Sequence, residues 1–364
     1  MSSESRPTLI RPPPPDPKKA PIENVLEVTK LDVLGPDIFT NTRQPWHPPG
    51  ARGIFGGAMI AQCLAAGQKT VPEGFFVHSC HCYFLLAGSS EVPIMFHVER
   101  VRDGRSFATR TVQARQRGAC IFTVTMSFVR KGSGGMPHNT LRHARPFPSG
   151  ETPPTDEEAA RVDKELGMGG PFQHYKYKIV GDDNQIAGGL DATPPERRKA
   201  LTWVRARGKI AGGTAAHLEA LGYVSDSYFI GTVPRIHSVW RWPVAPEDVE
   251  HKLPEAQQRA LRKACELEGV PWDVEVLKRQ RRLGMMVSLD HTIYFHEPER
   301  LRTDEWMLCE MDSPWVGDGR GVVSQRIFAA DGTLLATCYQ EGLVRLKDDG
   351  TLDESENGEQ KAKL

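Results

Sequence analysis

The chain predicts an α+β protein built from two copies of one unit, and three observations carry that reading. Asp103-Gly104-Arg105 opens the stretch DGRSFATRTVQARQRGACIFTVTMSFV, and Asp318-Gly319-Arg320 opens DGRGVVSQRIFAADGTLLATCYQEGLV. Both run turn, strand, glycine turn, strand, with one residue of slippage at Gly118 against Gly332. Upstream, His78–Phe84 (HSCHCYF) matches Leu289–Phe295 (LDHTIYF), and each copy has a glycine pair, Gly56-Gly57 or Gly212-Gly213, that opens an apolar helix. A single recurrence at about 210 residues is a tandem duplication, because solenoid periods run from roughly 20 to 50 residues.

The first unit is expected over residues 22–130. Ile22–Thr29 reads as a short strand or helix entry. Ala58–Lys69 places Met59, Ile60, Cys63 and Leu64 at helical spacing, and Val71-Pro72-Glu73-Gly74 stops it. Phe76–Leu86, Pro93–Val101, Ser106–Arg115 and Cys120–Val129 read as strands, joined by turns at Ala87-Gly88, Asp103-Gly104 and Arg117-Gly118 that suit antiparallel hairpins. Residues 131–200, rich in Gly, Pro and charge, read as linker and surface excursion with a helix at Asp156–Leu166. The second unit is expected over 201–347, with a helix at Thr214–Leu221 ended by Gly222. Residues 238–283 form a segment without counterpart in the first unit, with charged helices at Pro254–Glu268 and Asp273–Arg282. Such a segment is a solvated decoration or an arm near the active site.

Length and composition set the bounds. The 364 residues suffice for about two domains. Lys and Arg number 46 against 46 Asp and Glu, which removes any bulk electrostatic case for nucleic acid or an anionic membrane as partner. Seven cysteines at irregular spacings argue for a reducing interior rather than a disulfide framework. Residues 1–21 contain the Pro12–Pro15 run and lack the apolar core of a signal peptide, so a disordered leader is expected. Ile54–Gly67 is too short and glycine-rich to span a bilayer, and a soluble intracellular protein is expected. The polar stretch 348–364 ends in Ala362-Lys363-Leu364, which resembles the small-basic-leucine peroxisomal address read by an import receptor.

Several chemistries are not announced. There is no Gly-x-Ser-x-Gly elbow, no Gly-x-Gly-x-x-Gly and no Walker-type loop. His78-Ser79-Cys80-His81-Cys82 has the density of a metal site, but three ligands in a row on one strand face do not converge tetrahedrally. A packed strand is the expectation, with no metal.

The repeat also points to chemistry. In the second copy Asp290, Ser313 and Gln340 correspond to Ser79, Val98 and Met126 of the first, so only one copy carries the polar set. An Asp, a hydroxyl and a carboxamide can jointly hold a water, the carboxylate acting as general base toward an electrophilic carbonyl. Unpaired N–H groups at a helix N-terminus can meet the developing oxyanion, with Gly57 and Gly213 as candidates.

Six motifs together resemble the acyl-CoA thioesterase II family: Arg52–Gly57 (RGIFGG), Val77–Phe84 (VHSCHCYF), Val101–Phe107 (VRDGRSF), Ser288–His296 (SLDHTIYFH), Asp312–Trp315 (DSPW) and Gln340–Gly342 (QEG). The resemblance covers roughly 22–130 and 200–346. It implies a double hotdog, each half wrapping an antiparallel sheet around one long helix, and hydrolysis of acyl-CoA without metal or covalent intermediate. CoA would then be part of the substrate and no cofactor is expected. The resemblance assigns the water-activating Asp to Asp290, the Gln to Gln340 and the hydroxyl to Ser313, where some members place Thr one position later, at Pro314 here. It also implies a peroxisomal setting, with the cytoplasm as alternative, and further self-association into a homo-oligomer. Arg105 and Arg320 are candidates for the CoA phosphates, although arginines beside turns are more commonly just solvated. Two rival functions are an enoyl-CoA hydratase of the same fold and a non-enzymatic acyl-CoA binding module. The hydratase would need Asp290 and His291 to share a substrate, yet neighbours on a strand point to opposite faces.

Overall fold

The computed structural model describes residues 12–48, 51–136, 139–166, 169–181 and 193–348. Residues 1–11 of the expected leader and the tripeptide Ala362-Lys363-Leu364 lie outside the described residues.

The first half contains α1 (Pro21–Leu26), β1 (Val28–Lys30), β2 (Ile38–Asn41), α2 (Gly56–Gln68), β3 (Phe75–Phe84), β4 (Met95–Asp103), β5 (Phe107–Gln116) and β6 (Ala119–Arg130). Next come α3 (Asp156–Leu166), β7 (Phe172–Val180), β8 (Lys199–Ala206) and α4 (Gly213–Val224). Four shorter or charged helices follow: α5 (Thr232–Ile236), α6 (Val249–Lys252), α7 (Glu255–Leu267) and α8 (Val274–Lys278). The chain closes with β9 (Leu283–Ser288), β10 (Asp290–Phe295), β11 (Met307–Gly317), β12 (Arg320–Ala329) and β13 (Leu334–Leu346).

Among the described residues the strands form one 13-stranded antiparallel sheet, in the order β1-β2-β4-β5-β6-β3-β10-β13-β12-β11-β8-β7, with β9 pairing β13. The two halves repeat one topology. β2-β4-β5-β6-β3 in the first corresponds to β8-β11-β12-β13-β10 in the second, and the copies join where β3 pairs β10, Ile293 opposite Cys80. The turn that begins the repeat in the second half, Asp318-Gly319, has φ values of 51° and 68°, the two left-handed residues of a hairpin turn whose twist matches its strands.

Each half-sheet curves around one helix, and the two helices lie antiparallel against each other. Every residue of α2 from Gly57 to Gly67 is buried, which explains why its apolar residues run all the way round instead of forming a stripe. Close packing of α2 on α4 depends on missing side chains: a Cβ on Gly57 would stand 2.2 Å from Tyr223 O, and one on Gly222 would stand 2.6 Å from Leu64 Cδ1.

Two boundaries differ from the sequence reading. Residues 12–21 of the expected leader pack on the fold: Asp16 N donates to Asn24 Oδ1 (2.8 Å), Arg43 Nη2 donates to Pro14 O (3.1 Å) and Ala20 is buried. The expected linker 131–200 contains a true edge strand, because β7 pairs β8 and buries Tyr175 with Trp203 and Leu201 against Ala159 and Val162 of α3. Lysines interleaved with tyrosines along Tyr175-Lys176-Tyr177-Lys178 disguised that strand as surface. The segment between α4 and β9 has its own small core of Trp240, Val249, Leu261, Cys265 and Leu277. Its last helix is shorter than expected: Asp273 Oδ1 caps α8 by accepting from Glu275 N (2.9 Å) and Val276 N (3.3 Å), and Arg282 has already joined Trp240 in a β-bridge.

Candidate active site

β13 alternates Ala336, Cys338 and Gln340 toward the helices, so Gln340 is buried at 1% exposure. Its amide is held from two sides. Nε2 donates to Asp226 Oδ1 at 2.7 Å and lies 3.2 Å from His291 Nδ1. His291 Nε2 meets Ser225 Oγ at 3.1 Å, and that hydroxyl donates to Gly222 O at 3.0 Å. The chain of donors therefore puts the His291 proton on Nε2 and leaves Nδ1 to accept from Gln340. Burial pushes the His291 pKa down to about 3, in keeping with a neutral ring. With both amide hydrogens engaged, Gln340 Oε1 is fixed in direction; it is buried and accepts no hydrogen bond from the described residues.

Asp226 follows α4 and meets the N-terminus of α2. Besides Gln340, its carboxylate accepts the Gly57 N–H; burial raises its pKa to about 6 against the opposing pull of those two donors. A Cβ on Gly56 would stand 2.7 Å from Asp226 Oδ2, so the glycine pair admits the carboxylate to the helix end. Asp226 also lines a cleft of about 770 Å³ bounded by Arg52–Gly56, Phe84–Gly88, Tyr228–Gly231 and Gly284–Ser288.

Of the residues expected from sequence, Gln340 and Gly57 are thus joined through Asp226. Asp290 begins β10, half-buried, with Oδ1 accepting the Glu341 N–H at 2.7 Å, one residue beyond Gln340. Burial raises its pKa, with the Glu341 N–H acting the other way. Ser313 is buried on β11, two strands from Gln340, and its hydroxyl donates to Val322 O at 2.7 Å. No hydrogen bond among the described residues links Asp290, Ser313 and Gln340 to one another, and the cleft wall holds Asp226 rather than any of the three.

Gly213 is not at this site. The N–H groups of Ala211 and Gly212 that open α4 bind the Glu23 carboxylate at 3.0 and 2.8 Å. Gly213 precedes Tyr223 by ten residues, about 15 Å along the axis at 1.5 Å per residue. Arg320 is engaged by Glu341 Oε1 at 2.9 Å, whereas Arg105 is exposed. The sequence reading missed Asp226 altogether. Its only signal was a carboxylate just past an apolar helix, in Val224-Ser225-Asp226.

A sheet wrapped around a single helix, present twice and fused edge to edge, with a polar cluster where the second sheet meets the first helix, defines a double hotdog protein. Residues 42–129 match the acyl-CoA thioesterase N-terminal domain family and residues 149–344 the acyl-CoA thioesterase C-terminal domain family. The chain is 34% identical over 342 residues to acyl-coenzyme A thioesterase 8 of Mus musculus, covering 89% of each chain. It is 28% identical over 340 residues to acyl-CoA thioesterase 2 of Haemophilus influenzae, covering 90% of this chain and 99% of that one. Among solved structures it is similar to an acyl-CoA thioesterase II from Mycobacterium marinum, with TM-score 0.58, 28% identity and coverage of 90% and 98%. The chain belongs to the acyl-CoA thioesterase II family and is a thioester hydrolase.

Proposed function

We propose that the protein hydrolyses fatty acyl-CoA to free acid and CoA by direct attack of a water held by Asp290, Gln340 and Ser313. One observation carries the reading: Gln340 of the second half is locked, through Asp226, onto the α2 N-terminus of the first half, beside a cleft large enough for a substrate.

Hydrogen-bond capacity then divides the roles. A water has two hydrogens to donate. Gln340 Oε1 takes one, and Asp290 takes the other and accepts the proton as attack proceeds. Ser313 is left to donate, by turning its hydroxyl from Val322 O toward the water. The water oxygen forms a bond to the thioester carbonyl carbon, the carbon–sulfur bond breaks, and the proton on Asp290 returns to the CoA thiolate. The Gly57 N–H, an expected oxyanion donor, is taken by the Asp226 carboxylate, which also offsets the positive end of α2, so the oxyanion is not assigned to that helix end.

A second reading has its own support, because the carboxylate in the cleft wall is Asp226, with a pKa raised to about 6. In that reading Asp226 is the base and Asp290 fastens the break between β9 and β10 to the middle of β13. Release of thiol from a panel of acyl-CoAs tests hydrolysis itself. Tight binding without thiol release would favour a binding module, and hydration of enoyl-CoA would favour a hydratase.

The site of action proposed here is the peroxisome. A relative in Saccharomyces cerevisiae, 27% identical over 346 residues, is named peroxisomal acyl-coenzyme A thioester hydrolase 1, and Ala362-Lys363-Leu364 fits a receptor-read address. A fluorescent fusion that stays diffuse with and without those three residues would remove this part of the proposal.

A further inference from the structure

Beyond the cleft lies a second cavity of about 430 Å³, walled by α3, β7, β8 and the segment between α4 and β9. In the first half only six residues separate the helix α2 from the strand β3, whereas 58 separate α4 from β9. The added chain makes one wall of this chamber. Leu253, Leu261 and Ala264 of that segment face Leu166 of α3 across it, so the lining is chiefly apolar.

The chamber and the cleft have a common wall, formed by Tyr228 and Arg235, which line both. Arg235 is held in place there. Its guanidinium lies over the rings of Tyr177 (4.5 Å) and Tyr228 (5.2 Å), Nη1 donates to Gly231 O at 2.8 Å, and Nε faces Glu268 at 3.4 Å. Tyr228 has φ +60°, a conformation in which a bulky side chain is strained; its ring packs edge-on against His174 at 5.0 Å. Tyr228 and Arg235 are thus the partition between the two cavities.

Resting on the thioesterase reading, we infer that this chamber receives the distal part of long acyl chains, which pass the Tyr228–Arg235 wall while the thioester stays in the cleft. The segment between α4 and β9 would then set acyl-chain selectivity. A volume of about 430 Å³ falls within the usual range of ligand sites, and burying each further methylene favours binding about fourfold.

The test compares kcat/KM for hexadecanoyl-CoA and butanoyl-CoA in wild type and in Ala264→Phe and Ala260→Phe, which fill the chamber from α7. The long-to-short ratio should fall at least tenfold, chiefly through KM. A ratio within twofold of wild type in a variant with unchanged Tm overturns the inference. Should both variants fail to fold, wild type is irradiated with a thioether analogue of hexadecanoyl-CoA carrying a terminal diazirine. Label on Leu253–Ala264 or on α3 supports the chamber, and label confined to Phe84–Gly88 or Met285–Ser288 overturns it. Absence of thiol release from every acyl-CoA by wild type would instead defeat the thioesterase reading, and the chamber's role with it.

Discussion

Gln340 Nε2 donates to Asp226 Oδ1 at 2.7 Å, so a strand of one half and the helix N-terminus of the other are tied to a single carboxylate. This bond, with the one to His291, decides which way the Gln340 amide points. In Asp226→Asn the new amide presents hydrogens where Oδ1 stood, and Gln340 is expected to flip so that its oxygen meets them. Its Oε1 would then be withdrawn from the water. A fall in kcat of roughly 10²-fold with Tm little changed is expected, read by thiol release and thermal melting. Wild-type kcat in the folded variant would mean the orientation of Gln340 is immaterial.

The pKa of Asp226 gives this link a pH signature. Its carboxyl ionises near pH 6, and when protonated it cannot accept from Gln340 and Gly57 as a carboxylate does. The acid limb of kcat/KM should therefore fall at about pH 6 and shift or vanish in Asp226→Asn. The stability sign is opposite. A carboxyl raised above its unfolded value near 4 contributes stability that is fully present below that value and is lost as pH rises through about 6. Between about pH 4 and 7 wild type should lose more stability than Asp226→Asn. Parallel stability–pH curves would contradict the assignment.

Gly57 carries a packing prediction. A methyl there would meet Tyr223 O at 2.2 Å, and backbone cannot move aside as a flexible side chain does. Gly57→Ala should separate α2 from α4 and cost about 1–3 kcal/mol, measurable as a lowered denaturation midpoint. It should also weaken catalysis by shifting the Gly57 N–H from Asp226.

Ser313 separates a structural role from a catalytic one. Its hydroxyl donates to Val322 O in the folded protein, so Ser313→Ala removes that bond at a cost of about 1 kcal/mol. If the hydroxyl turns to the water during the reaction, kcat falls by roughly tenfold or more while KM holds. Loss of stability with kcat intact would leave Ser313 as a strand fastener.

Much of the fold was legible because the duplication is written in turn residues and glycine pairs. Asp318-Gly319 marks a tight hairpin, and Gly57 and Gly222 mark where two helices touch. β7 was not, since lysines alternate with its buried tyrosines. For the candidate site, the difference between the copies selects Asp290, Ser313 and Gln340, of which the structure joins Gln340 to Gly57 through Asp226 and leaves Asp290 and Ser313 on partners of their own; that difference says nothing about residues between repeats. Asp226 acquires meaning from its partners, one of them 114 residues away, and no local pattern announces such a contact.

The most direct test of the account is the turnover of Asp290→Asn beside Asp226→Asn, assayed as thiol release from one acyl-CoA at saturating substrate. With Asp290 as the base, its variant should lose roughly 10²- to 10⁴-fold in kcat and more than Asp226→Asn loses, with both proteins folded. Near-normal turnover by Asp290→Asn would contradict the account and leave Asp226 as the base.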